Sequence, residues 1–272
     1  MMKNNENAEN NELIILEGAI SVLSALNSEY AEVVKVILKP GSAEESRVRS
    51  RKDNAVQKIL RAAGIKKVDA EYRGFAEFEA TLGKTHGGII ALAKKRRFLT
   101  PPDLAERARV IAVIEGIEDP YNFGYAVRAL YTQGTDGLIV PERDFGLSES
   151  IIEKASTGTF YKMPVAVFSD KRGLIKLLKD NNFRIYCINH KAPPGSTAEA
   201  RDIFQVKFPE RTVFIIGGEK RGISKDFLQS ADEIVRIPYA SAFAHSLAAQ
   251  TAATIVAYEI HRQRVLDYET LT

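Results

Sequence analysis

The sequence has 272 residues and a mass of 30.2 kDa, and its 45% hydrophobic content is enough to bury a core and to form two domains. Its single cysteine, Cys187, excludes a disulfide framework and a thiolate metal cluster, and it indicates a reducing compartment. No apolar run reaches the roughly 18 residues that a membrane-spanning helix needs, and residues 1–12 lack the apolar core of a signal peptide. We therefore expect a cytoplasmic protein with no membrane segment and no bound metal, and with residues 1–12 as a disordered tail.

The N-terminal part of the chain predicts a compact αβ unit over residues 13–95. Segments with helical spacing of apolar residues alternate there with short runs rich in Val, Ile and Leu, which favour strands. The predicted order is a helix over residues 17–26, a strand over 33–38, a helix over 53–63, a strand near 67–70, a helix over 75–82 and a strand over 88–94.

Most of the excess positive charge lies in this unit. The formal net charge of the chain is +3, but residues 1–100 contain 17 Lys and Arg against 13 Asp and Glu. These cations are clustered, and clusters of this kind favour the phosphates of nucleic acid, although a solvated charged face is the alternative. The candidate phosphate-binding residues are Arg47, Arg49, Arg51, Lys52, Lys94, Lys95 and Arg96.

The C-terminal part predicts an α/β fold with a parallel sheet over residues 108–272. Residues 96–107 are basic, contain Pro101-Pro102 and show no clear period, so we expect them to form a linker. Beyond them, Val- and Ile-rich strands alternate with helices, which is typical of a parallel sheet covered on both faces. Ligands bind such sheets at the carboxyl ends of the strands. Every motif described next lies at such an end.

The first motif runs from Asp119 to Arg128, directly after a predicted strand over residues 110–115. Asn122 is a suitable N-cap, so the following helix is predicted to begin near it. Gly124 and Arg128 are then four residues apart on one helix face, where the glycine leaves space and the arginine supplies a cation. An ordinary surface arginine is the alternative.

Two further motifs follow strands near the C-terminus. Gly217-Gly218-Glu219 permits close backbone approach and offers a carboxylate acceptor, but it lacks the ending of a phosphate-binding loop. The third motif is Ile237-Pro238 followed by Ser246-Leu247, where Ser246 is a candidate N-cap for a long helix up to Arg264. Two strand ends beside a helix start can hold a small polar cofactor with backbone groups.

Together and in this order, the motifs resemble the SpoU (TrmH-like) branch of the SPOUT RNA methyltransferases. The matching patterns are N-x-G-x-x-x-R from Asn122 to Arg128, G-E-x-x-G-I from Gly218 to Ile223, and I-P…S-L from Ile237 to Leu247. The Ser-x-Gly stretch at Ser156–Gly158 also resembles the family. Residues 85–91 resemble the end of its L30e-like RNA-binding domain, so the resemblance covers nearly the whole chain after residue 12.

The resemblance implies a C-terminal SPOUT α/β-knot with a deep trefoil knot, an N-terminal L30e-like αβ domain that binds RNA, and a homodimer. It also implies S-adenosylmethionine as the cofactor and methylation of a ribose 2′-OH of RNA, most often 23S ribosomal RNA in the two-domain members. Carried over to this sequence, the cofactor-binding residues are Gly217, Gly218, Ile237, Leu247 and Asn189. The implied catalytic group is Asn122, Arg128, Glu219 and Ser246.

One position departs from the family pattern. The family usually has Ser-Leu-Asn where this chain has Ser246-Leu247-Ala248. The missing side-chain amide leaves two interpretations open: its role has moved to His245, Gln250 or water, or catalysis is impaired. The alternatives to a ribosomal RNA methyltransferase are therefore a transfer-RNA 2′-O-methyltransferase and a module that binds RNA and S-adenosylmethionine without turnover.

Overall fold

A computed structural model describes residues 13–40, 46–76, 82, 86–143, 148–190, 200–218, 220–242 and 245–269, without the side chains of residues 46–53 and 267–269. Packing divides the chain into two units. The first contains the residues up to Arg97 together with 145–162, and the second contains 98–144 and 163–272.

The first unit is a four-stranded sheet with helices. Its elements are β1 (Leu13–Glu17), α1 (Gly18–Leu26), β2 (Val33–Leu38), α2 (Ser46–Lys66), β3 (Asp69–Tyr72) and β4 (Ile89–Lys94). The strand order is β1-β4-β2-β3, and β4 is antiparallel to both of its neighbours whereas β2 and β3 are parallel. The strand β1 was not predicted from the sequence, and the predicted helix over 75–82 falls largely outside the described residues.

The structure departs from the predicted domain boundary at residues 145–162, which belong to the first unit. Tyr161 is fully buried in the same apolar cluster as Leu16 and Val36. Gly158, with a φ of +84°, packs so tightly that a Cβ there would lie 2.1 Å from the Oγ of Ser24. This segment, within the span 108–272 assigned to one domain, therefore completes the core of the first unit.

One further helix, α5 (Glu149–Ala155), belongs to the first unit, and the second unit contains the other helices and strands. They are α3 (Pro101–Arg107), β5 (Val110–Ile114), α4 (Pro120–Thr132), β6 (Gly137–Pro141), β7 (Val165–Phe168), α6 (Lys171–Asp180), β8 (Arg184–Ile188), β9 (Arg201–Asp202), β10 (Thr212–Ile216), α7 (Lys225–Ser230), β11 (Glu233–Arg236) and α8 (Ala249–Glu269). The predicted alternation of strands and helices in this half is confirmed, whereas β9 was not predicted and α3 replaces most of the predicted linker.

The sheet of the second unit is parallel in every described pairing, with the strand order β7-β6-β5-β10-β8-β11-β9. All residues of β5 and β10 are buried, because helices cover a central parallel strand on both faces. The predicted α/β class with a parallel sheet is thereby confirmed. Parallel pairing places the carboxyl ends of β8, β10 and β11 at one edge.

Most of the predicted linker, from Pro101 to Arg107, is the helix α3. The Thr100 side chain accepts a hydrogen bond from the backbone N–H of Asp103 and caps α3, which has proline in its first turn. Leu104 and Ala105 of this helix are buried in the core beside α6. Sequence period is hard to recognise in a helix of only seven residues, which explains the difference.

Candidate active site

A cavity of about 610 Å³ opens at the carboxyl ends of the central strands of the second unit. Asn189, Gly217 and Ile237 lie immediately after β8, β10 and β11, and all three line it. The predicted cofactor residues Gly218 and Leu247 line the same cavity. The structure therefore brings all five residues together, at the sheet edge where α/β folds bind ligands.

The glycine-rich turn after β10 forms one wall of this cavity. Gly218 and Gly222 exchange two backbone hydrogen bonds, of 3.1 and 2.9 Å, and Gly222 has a φ of +62°. A Cβ at Gly217 would lie 2.4 Å from the carbonyl carbon of Gly222, so only glycine fits without moving the turn. Glu219 lies outside the described residues.

Two aromatic residues that were not among the predicted site residues, His190 and Tyr239, also line this cavity. His190 stacks on Tyr239, with ring centroids 5.1 Å apart. The hydroxyl of Tyr239 accepts a hydrogen bond of 2.9 Å from the backbone N–H of Leu247. Tyr239 thus links the end of β11 to the segment that precedes α8. Its position directly after Ile237-Pro238 was the sequence signal that could have identified it as a site residue.

The loop before α8 differs from the predicted cap. The helix begins at Ala249, and the carbonyl of Ala248 accepts the backbone N–H of Ala252, so Ala248 is the N-cap residue. Ser246 is not the N-cap of α8, so the prediction that it caps this helix is wrong. It is exposed and lines the cavity beside His245 and Leu247.

The start of α4 also differs from the prediction. Asp119 is the N-cap, because its side chain accepts the backbone N–H of Asn122 at 2.8 Å, and Pro120 occupies the first helical position. Asn122 is therefore the third residue of the helix rather than its cap. Its side-chain Oδ1 accepts a hydrogen bond of 3.1 Å from Nε2 of Gln250, which lies in the first turn of α8.

Arg128 lies on an exposed face of α4 and does not line this cavity. Tyr121 and Tyr125 precede it at helical spacing and are about half exposed, at 52% and 51%. Within one chain the structure thus joins Asn122 to Gln250 and places Ser246 in the cavity, but it leaves Arg128 outside.

A second cavity, of about 850 Å³, lies on the other side of the glycine-rich turn and shares Gly218 and Gly222 with the first. Its charges are largely paired. Glu115 forms a 2.7 Å ion pair with Lys171, and Lys220 lies 2.6 Å from Glu118 and lowers the pKa of that carboxyl. No group of His, Cys, Asp and Glu within the described residues could hold a metal ion.

The sequence of this unit matches a family model. The model of the SpoU rRNA Methylase family matches residues 109–258, which is more than half of the chain. The chain belongs to the SpoU rRNA methylase family. The sequence prediction of this family is thereby confirmed, and the protein is an RNA methyltransferase of the SpoU/TrmH type.

Relatives and solved structures agree with this assignment. A Staphylococcus epidermidis protein named as a TrmH family tRNA/rRNA methyltransferase is 26% identical over 258 residues, covering 92% of this chain and 96% of its own. The SpoU methyltransferase AviRb from Streptomyces viridochromogenes, solved with AdoMet, aligns with a TM-score of 0.73 at 19% identity over 97% and 96% of the two chains. An RNA 2′-O ribose methyltransferase aligns with a TM-score of 0.67 at 19% identity over 96% and 92%.

Of the candidate RNA-binding residues in this SpoU family member, Arg96 requires a correction. Its side chain is only 4% exposed, and its guanidinium carbon lies 4.9 Å from the ring centre of Tyr30 and 4.6 Å from that of Phe160. Burial lowers the pKa of Arg96 to about 10. Because an arginine enclosed by two aromatic rings cannot contact a phosphate backbone, Arg96 has a structural role in the first unit.

The other cations of that group are placed differently. Lys94 is exposed and forms a 2.7 Å ion pair with Glu32, and Lys95 is exposed next to it. Arg47, Arg49, Arg51 and Lys52 lie on α2, but their side chains are outside the described part of the structure. Lys94 and Lys95 therefore stay candidates for RNA contact.

The Arg96 environment is a buried polar cluster. Glu149 accepts hydrogen bonds from the hydroxyl of Tyr161 at 2.7 Å and from the backbone N–H of Arg96 at 2.9 Å. Burial raises the pKa of Glu149, and it raises the pKa of fully buried Glu153 to about 9. Glu153 is therefore protonated at neutral pH.

None of the helices in the described segments is long and apolar enough to cross a membrane.

Proposed function

We propose that this protein transfers the methyl group of S-adenosylmethionine to a ribose 2′-hydroxyl of RNA, with 23S ribosomal RNA as the target. The observation that carries the proposal is the 610 Å³ cavity in which Asn189, Gly217 and Ile237 follow three adjacent strands and Ser246 faces the same space. The similarity to an AdoMet-bound SpoU methyltransferase and to a 2′-O ribose methyltransferase supports the choice of cofactor and product.

The cavity has the properties that this cofactor requires. Its volume is within the range of small-molecule sites, and it combines apolar Ile and Leu side chains with backbone groups at three strand ends. We propose that the backbone at Gly217, Gly218, Ile237 and Leu247 and the side chain of Asn189 bind S-adenosylmethionine. The bound cofactor supplies an already activated methyl group, so the protein has to align the ribose and stabilise its 2′-oxygen.

Arg128 is proposed to stabilise that oxygen. A guanidinium stays protonated, so Arg128 acts as a fixed cation towards the developing alkoxide and the neighbouring phosphate rather than as a base. Asn122 and Ser246 are proposed to orient the ribose, and Glu219 to orient Arg128 or Asn122. Methyl transfer to the 2′-OH is selective for RNA, because DNA lacks this group.

A homodimer explains how an exposed Arg128 takes part in catalysis. Tyr121 and Tyr125 of α4 and Tyr258 of α8 are each more than half exposed, and α4 packs against α8. Exposed aromatic residues of this kind are enriched in protein interfaces. We propose that a second copy covers this face, so that Arg128 contributes to an RNA site shared between subunits. A monomer in sedimentation analysis at micromolar concentration would contradict the shared site.

Labelled S-adenosylmethionine and total RNA test the proposed function. We expect label in ribosomal RNA with the wild-type protein, and Arg128→Ala should reduce methyl transfer by about two orders of magnitude while cofactor binding stays nearly intact. Arg172→Ala, at another exposed arginine of the same unit, is the matched control and should be fully active. Label confined to transfer RNA would correct the target, and cofactor binding without transfer would favour the non-catalytic alternative.

A further inference from the structure

Gln250 joins the two helices that carry the proposed catalytic group. It is the second residue of α8, and its Nε2 donates the 3.1 Å hydrogen bond to Oδ1 of Asn122 in the first turn of α4. The two residues are 128 positions apart in the sequence. The amide of Asn122 is therefore oriented by a side chain from the motif that also contains Ser246.

The other polar atom of Gln250 has no partner in the described part of the protein. Its Oε1 is buried and accepts no hydrogen bond there. A buried acceptor without a donor costs roughly 1–3 kcal/mol, and a catalytic role is one of the explanations for such a group.

A simpler explanation is that Gln250 only links the two helices structurally. This explanation fits the contacts of Gln250 less well. A structural amide is expected to satisfy both of its polar atoms, because each unpaired one weakens the fold. Gln250 instead satisfies one atom with Asn122 and keeps the other buried without a partner, and it directly follows Ala248 and Ala249, which line the cofactor cavity, in the sequence. This arrangement is typical of a site that is completed on binding.

We infer that Gln250 is a positioning residue for catalysis: it fixes the orientation of the Asn122 amide and provides the side-chain amide that Ala248 cannot. The inference rests on the proposed function, in which Asn122 belongs to the catalytic group. Gln250 acts through Asn122, so its loss affects turnover more than cofactor binding. The chain thus has a side-chain amide two residues after Ala248, bound to Asn122.

Kinetics of four variants separate this role from a structural one. Gln250→Ala should lower kcat about tenfold, the effect expected for one hydrogen bond of about 1.4 kcal/mol, with little change in the KM and Kd of S-adenosylmethionine. Asn122→Ala and the double variant should be equally slow, because the two residues act as a unit. Adding Ala248→Asn to Gln250→Ala should restore part of kcat.

Thr254→Ala is the matched control. Thr254 Oγ1 donates a 2.7 Å hydrogen bond to the backbone carbonyl of Gln250 but does not contact Asn122, so kcat should not change.

The inference is overturned if Gln250→Ala keeps the wild-type kcat, or if its effect adds fully to that of Asn122→Ala. If the wild-type protein methylates no RNA, the proposed function fails. NMR then still tests the hydrogen bond between Gln250 and Asn122, because it needs no activity. An unchanged side-chain NH₂ resonance of Asn122 in Gln250→Ala would overturn the inference, and a shifted one would support it.

Discussion

Replacing Gly217 by alanine tests whether the glycine-rich turn shapes the cofactor site. The added Cβ would lie 2.4 Å from the carbonyl carbon of Gly222 and 2.6 Å from the backbone nitrogen of Ile223, whereas ordinary contacts begin at 3.4 Å. These neighbours are backbone atoms and cannot rotate away. The turn must therefore move by about 1 Å, which is the difference between 3.4 and 2.4 Å.

A movement of that size breaks the pair of hydrogen bonds between Gly218 and Gly222, because their lengths of 3.1 and 2.9 Å would exceed the normal range. Two net hydrogen bonds are worth about 1–3 kcal/mol. If the backbone at Gly217 and Gly218 holds the cofactor, the affinity for S-adenosylmethionine should fall roughly five- to 150-fold.

Titration calorimetry with S-adenosylmethionine measures this loss, and thermal unfolding shows whether the variant remains folded. Gly64→Ala is the control, because a Cβ at this exposed position of α2 would meet no atom within 4 Å. It should leave the affinity unchanged and stabilise the first unit by about 0.5–1 kcal/mol. Wild-type affinity in Gly217→Ala would refute the proposed role of the turn.

Three further predictions concern other parts of the chain. Ala248→Asn should raise the free energy of unfolding by about 1 kcal/mol, because alanine is a poor N-cap; an unchanged denaturation midpoint would contradict the assignment of the cap. Tyr239→Phe removes the acceptor of the Leu247 N–H, so cofactor affinity should fall about fivefold, whereas equal affinities in calorimetry would exclude this role. Burial raises the pKa of Glu153 from 4.5 to about 9, so its contribution to stability is complete below pH 4.5 and is lost as the pH rises through 9. Glu153→Gln should therefore become more stable relative to wild type across this interval, and a constant difference in Tm would argue against a buried, protonated carboxyl.

Much of the fold could be predicted because local patterns determine it. The strand Val33–Leu38 has the predicted bounds and the helix Gly18–Leu26 begins within one residue of the prediction, since their apolar patterns are clear. The strand Leu13–Glu17 was missed because its pairing with β4 comes from a distant part of the chain. The same reason applies to residues 145–162, whose burial against the first unit is a tertiary effect.

The residues of the site could be predicted from its motifs, but the side-chain contacts between the motifs could not. Gly217 and Ile237 were expected to meet because they follow strands of a parallel sheet, and Leu247 because a helix was predicted to begin beside those strand ends, whereas Asn189 came from the family resemblance. The pairing of Gln250 with Asn122 depends on the packing of α8 against α4, which no spacing in the sequence encodes.

Arg96 shows what a cluster of charged residues in a sequence cannot predict. It is adjacent in sequence to exposed Lys95, and nothing in the run of four cations from residue 94 to 97 distinguishes the buried one. Only the positions of Tyr30 and Phe160 in the folded unit reveal that its guanidinium is enclosed. Clusters of charge in a sequence therefore identify a candidate surface but not its individual members.

The position of the transferred methyl group tests the central proposal most directly. Ribosomal RNA labelled by this protein from methyl-labelled S-adenosylmethionine would be hydrolysed with alkali, which requires a free 2′-OH at each cleaved linkage. We predict that the label is recovered in an alkali-resistant dinucleotide, as 2′-O-methylation requires. Label in mononucleotides, which indicates methylation of a base, would contradict the account.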